Sequence, residues 1–179
     1  ILEIQKQLEQ NNAGFRTQSG TMLKNASTGV ISHIPPQNSA DIIRLMTNLE
    51  KYINDDLDDL DPLIKLAIIH YQFETIHPFY DGNGRTGRII NVLYLVYKGL
   101  LDLPILYLSA YIINNKTQYY KLLQSVSEES TWGEWIEYIL KGIRQTSIAS
   151  VDMIKNIEQA MIKFNNVFME KEPKIYSKE

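Results

Sequence analysis

Apolar positions in this chain recur mostly at helical spacing, with one interruption near the start. Residues 2–11 alternate as a short amphipathic helix. From Gly14 to Pro36 the pattern changes: Thr21-Met22-Leu23 and Val30-Ile31-Ser32-His33-Ile34 flank the turn-prone Asn25-Ala26-Ser27-Thr28-Gly29, which predicts a β-hairpin over 21–34 closed off by Pro35-Pro36. Ser39 is the expected N-cap of a helix running to about Asn54, its buried stripe formed by Ile42, Ile43, Leu45, Met46, Leu49 and Ile53. The acidic run 55–61 reads as a loop. Asp61-Pro62 then starts a helix carrying Leu63, Leu66, Ala67, Ile69 and His70 and stopping before Pro78, because an acidic cap and a first-turn proline favour helix initiation. The run Ile89 to Tyr97 is apolar on nearly every face, so that helix is expected at the centre of the fold, with Gly99 ending it. Four more helices are predicted at 106–113, 115–127, 132–147 and 149–169, and Thr131-Trp132-Gly133-Glu134 supplies a capping box for the third.

A chain of 179 residues, 44% hydrophobic and 22% charged, can bury one core. The net charge of −3 and a pI near 5.7 argue against direct nucleic-acid binding, which leaves a basic footprint. Zero cysteines exclude disulfides and thiolate metal sites and fit a reducing cytoplasm. No apolar run reaches the length of a membrane span. The reading is mainly α, with an N-terminal helix at 1–12, one main domain at 13–148, and a C-terminal helix and tail at 149–179.

Chemistry concentrates in residues 77–88, His-Pro-Phe-Tyr-Asp-Gly-Asn-Gly-Arg-Thr-Gly-Arg. A glycine-rich turn opening a helix presents unpaired N–H groups and the positive end of the helix dipole to an anion. Arg85 and Arg88 add forked donors suited to phosphate oxygens. His77 can accept a proton near neutral pH, and Asp81 can hold a hard cation. The same residues satisfy the dinucleotide pattern G-x-G-x-x-G at Gly82, Gly84 and Gly87, with Asp102 twenty positions beyond Gly82. That pattern requires a preceding parallel strand, and Pro78 interrupts the segment where it would have to lie. A P-loop is excluded because no Lys-Ser or Lys-Thr follows the glycines. His33, His70 and His77 have no recognised zinc spacing, and His70 reads as a core histidine.

The run 77–88 resembles the Fic signature H-P-F-x-[D/E]-G-N-G-R-x-x-R at every specified position. Ala13-Gly14-Phe15-Arg16, His33-Ile34-Pro35-Pro36, His70 to Ile76 and Tyr119-Tyr120 also look like landmarks of larger bacterial Fic proteins, so the resemblance spans about residues 13–145. It implies a Fic-type helical bundle with a small β-hairpin flap. It also implies transfer of AMP from ATP to a Ser, Thr or Tyr hydroxyl of a target protein, with release of pyrophosphate. By that resemblance His77 is the general base and Asp81 holds Mg²⁺. Gly82, Asn83 and Gly84 form the anion hole, and Arg85 and Arg88 bind the phosphates. Val30, Ile31, Ser32 and His33 resemble the flap that pins a target by strand addition, and Tyr111, Asn115 and Tyr120 resemble adenine-pocket residues. Ser127 stands where some similar proteins carry an asparagine near the adenine. Gly84-Arg85, where the Doc branch has lysine, favours AMP transfer over phosphate transfer.

Transfer of UMP or phosphocholine, AMP removal, and an ATP-sensing regulator without turnover stay open as alternatives. The family often forms homodimers, and many members carry an inhibitory helix of pattern [S/T]-x-x-x-E-[G/N]. The nearest segment here, Ser125 to Ser130, lacks the final Gly or Asn, so such a helix is expected upstream of Ile1, with Arg88 free in its absence.

Overall fold

Asp61 begins the most deeply buried helix of the fold. Its carboxylate accepts the Leu63 N–H at 2.8 Å, and Pro62 occupies the first helical position. In the computed structural model, which describes residues 1–24, 29, 31–55 and 59–171, the elements in chain order are α1 (Leu2–Glu9), β1 (Leu23–Lys24), β2 (Ile31–His33), α2 (Ser39–Asn54), α3 (Pro62–Ile76), α4 (Asn83–Tyr97), α5 (Leu108–Asn114), α6 (Lys116–Glu129) and α7 (Trp132–Lys171). The architecture is a mainly α bundle with a two-stranded hairpin, as the pattern and the resemblance imply.

The central element is α3, not the motif helix α4. Leu66, Ala67, Ile69, Phe73 and Ile76 are inaccessible or nearly so, and even Lys65, His70 and Glu74 are buried, so α3 needs neighbours on every side. It finds them in α2, α4 and α7. By contrast α4 buries Ile90, Tyr94 and Leu95 but leaves Leu93 and Tyr97 exposed, because α1 covers only part of its outer face. His70 is the core histidine its position predicts. Its Nε2 meets the Tyr119 hydroxyl at 3.1 Å and its ring stacks on Trp135, whose indole N–H donates to the Ala67 carbonyl at 2.8 Å.

The hairpin forms in antiparallel register, with Leu23 opposite His33 and Lys24 opposite Ile31. Val30 and the turn residues 25–28 lie outside the described residues, as does the Ser32 side chain. A contact 2.8 Å long between His33 Nε2 and the Thr75 carbonyl ties β2 to the end of α3; a carbonyl only accepts, so the ring donates. In α2 the cap is Asn38 rather than Ser39, its side chain accepting the Ala40 N–H at 2.8 Å, and the buried face narrows to Ile42, Met46 and Leu49 while Ile43 turns outward.

The two helices expected at 132–147 and 149–169 are one. Ser147, Ile148, Ala149 and Ser150 include neither glycine nor proline, so nothing in the backbone interrupts the ladder. Packing does stop there: Gly142, Ile143 and Thr146 are the last buried residues. The close approach at Gly142 is steric, since a Cβ there would come within 2.6 Å of the Tyr111 ring. Beyond it Ile154, Ile157, Met161 and Phe164 lie exposed at heptad-like spacing. No helix among the described residues is long and apolar enough to cross a membrane.

Helix continuity without packing predicts unequal protection. Backbone amides of residues 150–168 should exchange with deuterium at least about 100-fold faster than those of residues 66–73 in α3, because local opening there breaks no core contact. Native-state hydrogen exchange measured by mass spectrometry checks this; equal protection would mean the far half of α7 is covered.

Candidate active site

Pro78 cannot continue α3, and the residue before a proline is driven away from the α-helical region. His77 resolves this by taking a left-handed conformation, φ 48° and ψ 59°, while its N–H still bonds the Phe73 carbonyl at 3.0 Å. Such a conformation is uncommon for a side chain other than glycine. Arg16 holds it. This arginine is wholly inaccessible; its Nε donates to the His77 carbonyl at 2.8 Å, and its terminal nitrogen donates to the Pro36 carbonyl and, at 3.4 Å, to that of Ile76. Its own backbone N–H donates to the Pro78 carbonyl at 2.8 Å. A cation at the carbonyl end of a helix is electrostatically favoured, so the guanidinium fixes the His77 backbone from behind and leaves the imidazole to the cavity in front.

Burial is the main reason the imidazole is depressed to about 4. The nearby charges of Arg16 and His33 push the same way, while the Glu74 backbone carbonyl and Asp81 oppose them. Its resting form at neutral pH is therefore the uncharged ring, able to accept a proton.

The turn after His77 is built on itself. Asn83 is buried and its side chain spans Phe79, accepting the backbone N–H and donating to the carbonyl, both at 2.8 Å. Phe79 plugs the core against Phe15 and Phe73. Asp81 accepts the Gly82 N–H at 2.6 Å yet keeps 83% of its side chain exposed. Gly82 opens α4 at φ 78°, a conformation that suits glycine, and no side chain caps the first turn. The N–H groups of Asn83, Gly84 and Arg85 thus lack an intrahelical acceptor and sit at the positive end of α4, the arrangement that favours an anion. The Asn83 amide is spent on Phe79, so only its backbone donor is left for a ligand.

Around this turn lies a cavity of about 400 Å³. It brings together His77, Asp81, Gly82, Asn83, Gly84, Arg85 and Arg88, all of which the sequence singled out. A side chain at position 84 would press within 3.0 Å of Arg88, so this glycine makes room for the arginine. Arg85 lies 2.6 Å from Glu9 and 3.9 Å from Asp81. Glu74 also reaches the wall. Its carboxyl is buried, pushed up to about 7 by burial with the Arg88 charge pulling the other way, and it approaches so near to Gly87 that a Cβ there would be 2.7 Å from it.

The far wall differs from expectation. Tyr120 lines the cavity, whereas Tyr111 and Asn115 do not: Tyr111 packs on Tyr138 and against Gly142, and Asn115 sits at the α5–α6 junction donating to the Tyr111 carbonyl at 2.9 Å. Ile112, Ile113, Lys116 and Tyr119 take those places. Ile112 and Ile113 come from the end of α5 and Lys116, Tyr119 and Tyr120 from the first turns of α6, two helices that meet at Asn115, while Tyr111 turns to Tyr138 and Gly142 of α7. Ser127 bonds the Tyr71 hydroxyl at 2.7 Å and is not part of the wall. Neither Ile31 nor His33 lines it. Glu9, Glu74 and Lys116 had no role in the sequence reading, because nothing in their local pattern separates them from ordinary helix residues.

No group of three His, Cys, Asp or Glu side chains among the described residues could hold a metal ion. A lone exposed carboxylate at the rim suits a cation that takes its other ligands from phosphate and water, as Mg²⁺ does.

Replacing Arg16 by methionine leaves the Pro36, Ile76 and His77 carbonyls short of donors in the interior. It should destabilise the protein by about 3 kcal/mol, as expected for unpaired buried polar groups. Urea denaturation of the variant beside the parent measures this; a loss below about 1 kcal/mol would show that the contact does not hold the turn.

Comparison with known proteins bears on the family and the fold. The Fic/DOC family model matches residues 1–95. The protein adenylyltransferase Fic of Drosophila grimshawi is 33% identical over 97 residues, which is 54% of this chain and 19% of that one. The Drosophila melanogaster protein of the same name is 40% identical over 68 residues, 37% of this chain and 14% of that one. A Fic family protein from Desulfovibrio desulfuricans G20 superposes with a TM-score of 0.72 at 25% identity, over 85% of this chain and 46% of that one. The chain thus spans less than a fifth of these curated relatives. Its matched segment covers more than half of its own 179 residues, and by that match and the bundle built around α3 the chain belongs to the Fic/DOC family.

Proposed function

We propose that this chain transfers AMP from ATP to a hydroxyl side chain of a target protein. The observation that carries the reading is the convergence on one cavity of an uncharged histidine, the open first turn of α4 and two arginines. The adenylyltransferase names of the Drosophila relatives support it at the level of the family.

The triphosphate takes the first-turn N–H groups of α4, with Arg85 and Arg88 neutralising charge on the leaving pyrophosphate. The base lies against the half-apolar wall of Ile112, Ile113 and Tyr120, and Lys116 at the edge adds a further cation. Asp81 is the residue that would hold Mg²⁺, and the ion, when bound, supplies neutralisation of phosphate charge. His77 accepts the proton of the attacking hydroxyl as the new O–Pα bond forms and the bond from Pα to the bridging oxygen breaks, the electron pair leaving on pyrophosphate. The depression of His77 suits this, because the ring is already deprotonated when the nucleotide arrives. The anionic phosphates then raise its affinity for the proton it takes. The hairpin, anchored to α3 through His33, supports strand addition of the target segment beside the cavity.

With ATP labelled on the α-phosphate, the parent protein should place label on itself or on a target in an extract, dependent on Mg²⁺. His77→Ala should lower that rate at least about 100-fold, the usual effect of losing a general base. Tight ATP binding with no covalent label would favour the ATP-sensing alternative.

A further inference from the structure

We propose that Glu9, the last residue of α1, is a positioning residue for Arg85, so that α1 is part of the phosphate site and not only a cover for α4. The proposal deepens the adenylyltransferase reading and rests on it for its turnover arm alone.

The Glu9 carboxylate lies 2.6 Å from a terminal nitrogen of Arg85 and is the better shielded of the two, at 14% exposure against 50%. Its Oε1 is buried and has no hydrogen-bond partner among the described residues, so the ion pair with Arg85 is the polar contact it makes there. The side chain rests flat on Gly82: a Cβ there would stand 2.5 Å from Oε1 and 3.1 Å from the two carbons behind it. Any side chain at position 82 would therefore displace Glu9, which adds a second requirement to the left-handed backbone of that glycine.

Two features distinguish a positioning contact from a brake or a mere anchor. First, Glu9 and Asp81 draw on the same Arg85 nitrogen, at 2.6 and 3.9 Å, leaving Nε and the other terminal nitrogen for a ligand. Asp81 is the exposed carboxylate that a cation would claim, so Glu9 is the contact that stays. Second, Arg85 and Asp81 line the cavity and Glu9 does not, so its charge stands behind the arginine and not in the space a phosphate would fill. Anchoring of α1 does not need the pair, because Ile1 and Ile4 already pack against the core and Gln5 is buried. A long cationic side chain left half exposed would sample many rotamers, and a shielded carboxylate on one nitrogen removes that freedom before the ligand arrives.

A double-mutant cycle over Glu9→Ala and Arg85→Ala in the full chain tests this, using calorimetric binding of inorganic pyrophosphate and of Mg·ATP together with thermal melting. We expect Glu9→Ala to weaken both ligands about tenfold in the parent and to have no effect in the Arg85→Ala background, as coupling within one contact requires. Glu9→Gln, which keeps the shape and drops the charge, should fall between, and it provides the reading if the alanine variant does not fold. In turnover, KM for ATP should rise more than kcat falls. Lower melting temperature with unchanged ligand affinity would overturn the proposal, as would tighter binding in Glu9→Ala. Coupling in the binding cycle with no AMP transfer by the parent would uphold the role of Glu9 and defeat the adenylyltransferase reading instead.

Discussion

The Arg16 guanidinium set against the carbonyl end of α3 is the constraint on which the site depends. It ends the central helix, fixes the strained backbone of His77, and joins the segment before the hairpin to Pro36 and to the motif. Charge without a carboxylate partner is costly in an interior, and here the negative ends of peptide dipoles offset it. Remove that cation and the helix end, the proline turn and the glycine-rich turn before α4 lose their common reference. The loop is also held by its own Asn83-to-Phe79 contacts, by Phe79 in the core, and by the Tyr80 hydroxyl, which accepts the Thr17 and Gln18 N–H groups at 2.9 and 3.3 Å.

Buried titratable groups near this contact give the domain an acid-sensitive interior. His70 is depressed to about 3 and His77 to about 4, in both cases mainly by burial. The unfolded chain takes up protons on these rings below its ordinary histidine range while the native state refuses them, so the stability they contribute is lost as pH falls from about 6.5 toward 4. Glu74 works in the opposite sense. Its carboxyl is raised to about 7, so the contribution of the neutral form is present at acid pH and lost as pH rises through 7. The same burial that organises the cavity thus keeps its histidine neutral and its acid partly protonated at the pH of use.

Legibility in the sequence followed how local the determining physics was. The cap at Asp61, the paired strands Leu23–Lys24 and Ile31–His33 inside the expected hairpin, and the open helix start at Gly82 each depend on neighbours in sequence, and each lies where the pattern put it. The central helix was misplaced because an apolar run of the α4 kind reports a buried helix, but not whether buried polar residues such as Lys65 and Glu74 let another helix lie deeper. The break assigned between 147 and 149 reflected a change in packing, which ends at Thr146, and not a change in backbone preference. Tyr111 is turned to α7 at Gly142 and Asn115 sits in the junction between α5 and α6, placements that no local pattern encodes. Glu9 reaches the site across 76 positions of chain to Arg85, a separation no local pattern encodes.

The chemistry open to this cavity depends most directly on the protonation state that the buried helix end imposes on His77. Titration of its imidazole by NMR in the ligand-free protein, assigned with His77→Asn, should give a midpoint near 4, with the ring uncharged throughout the neutral range. A midpoint at or above the ordinary 6.5 of a free histidine would contradict it.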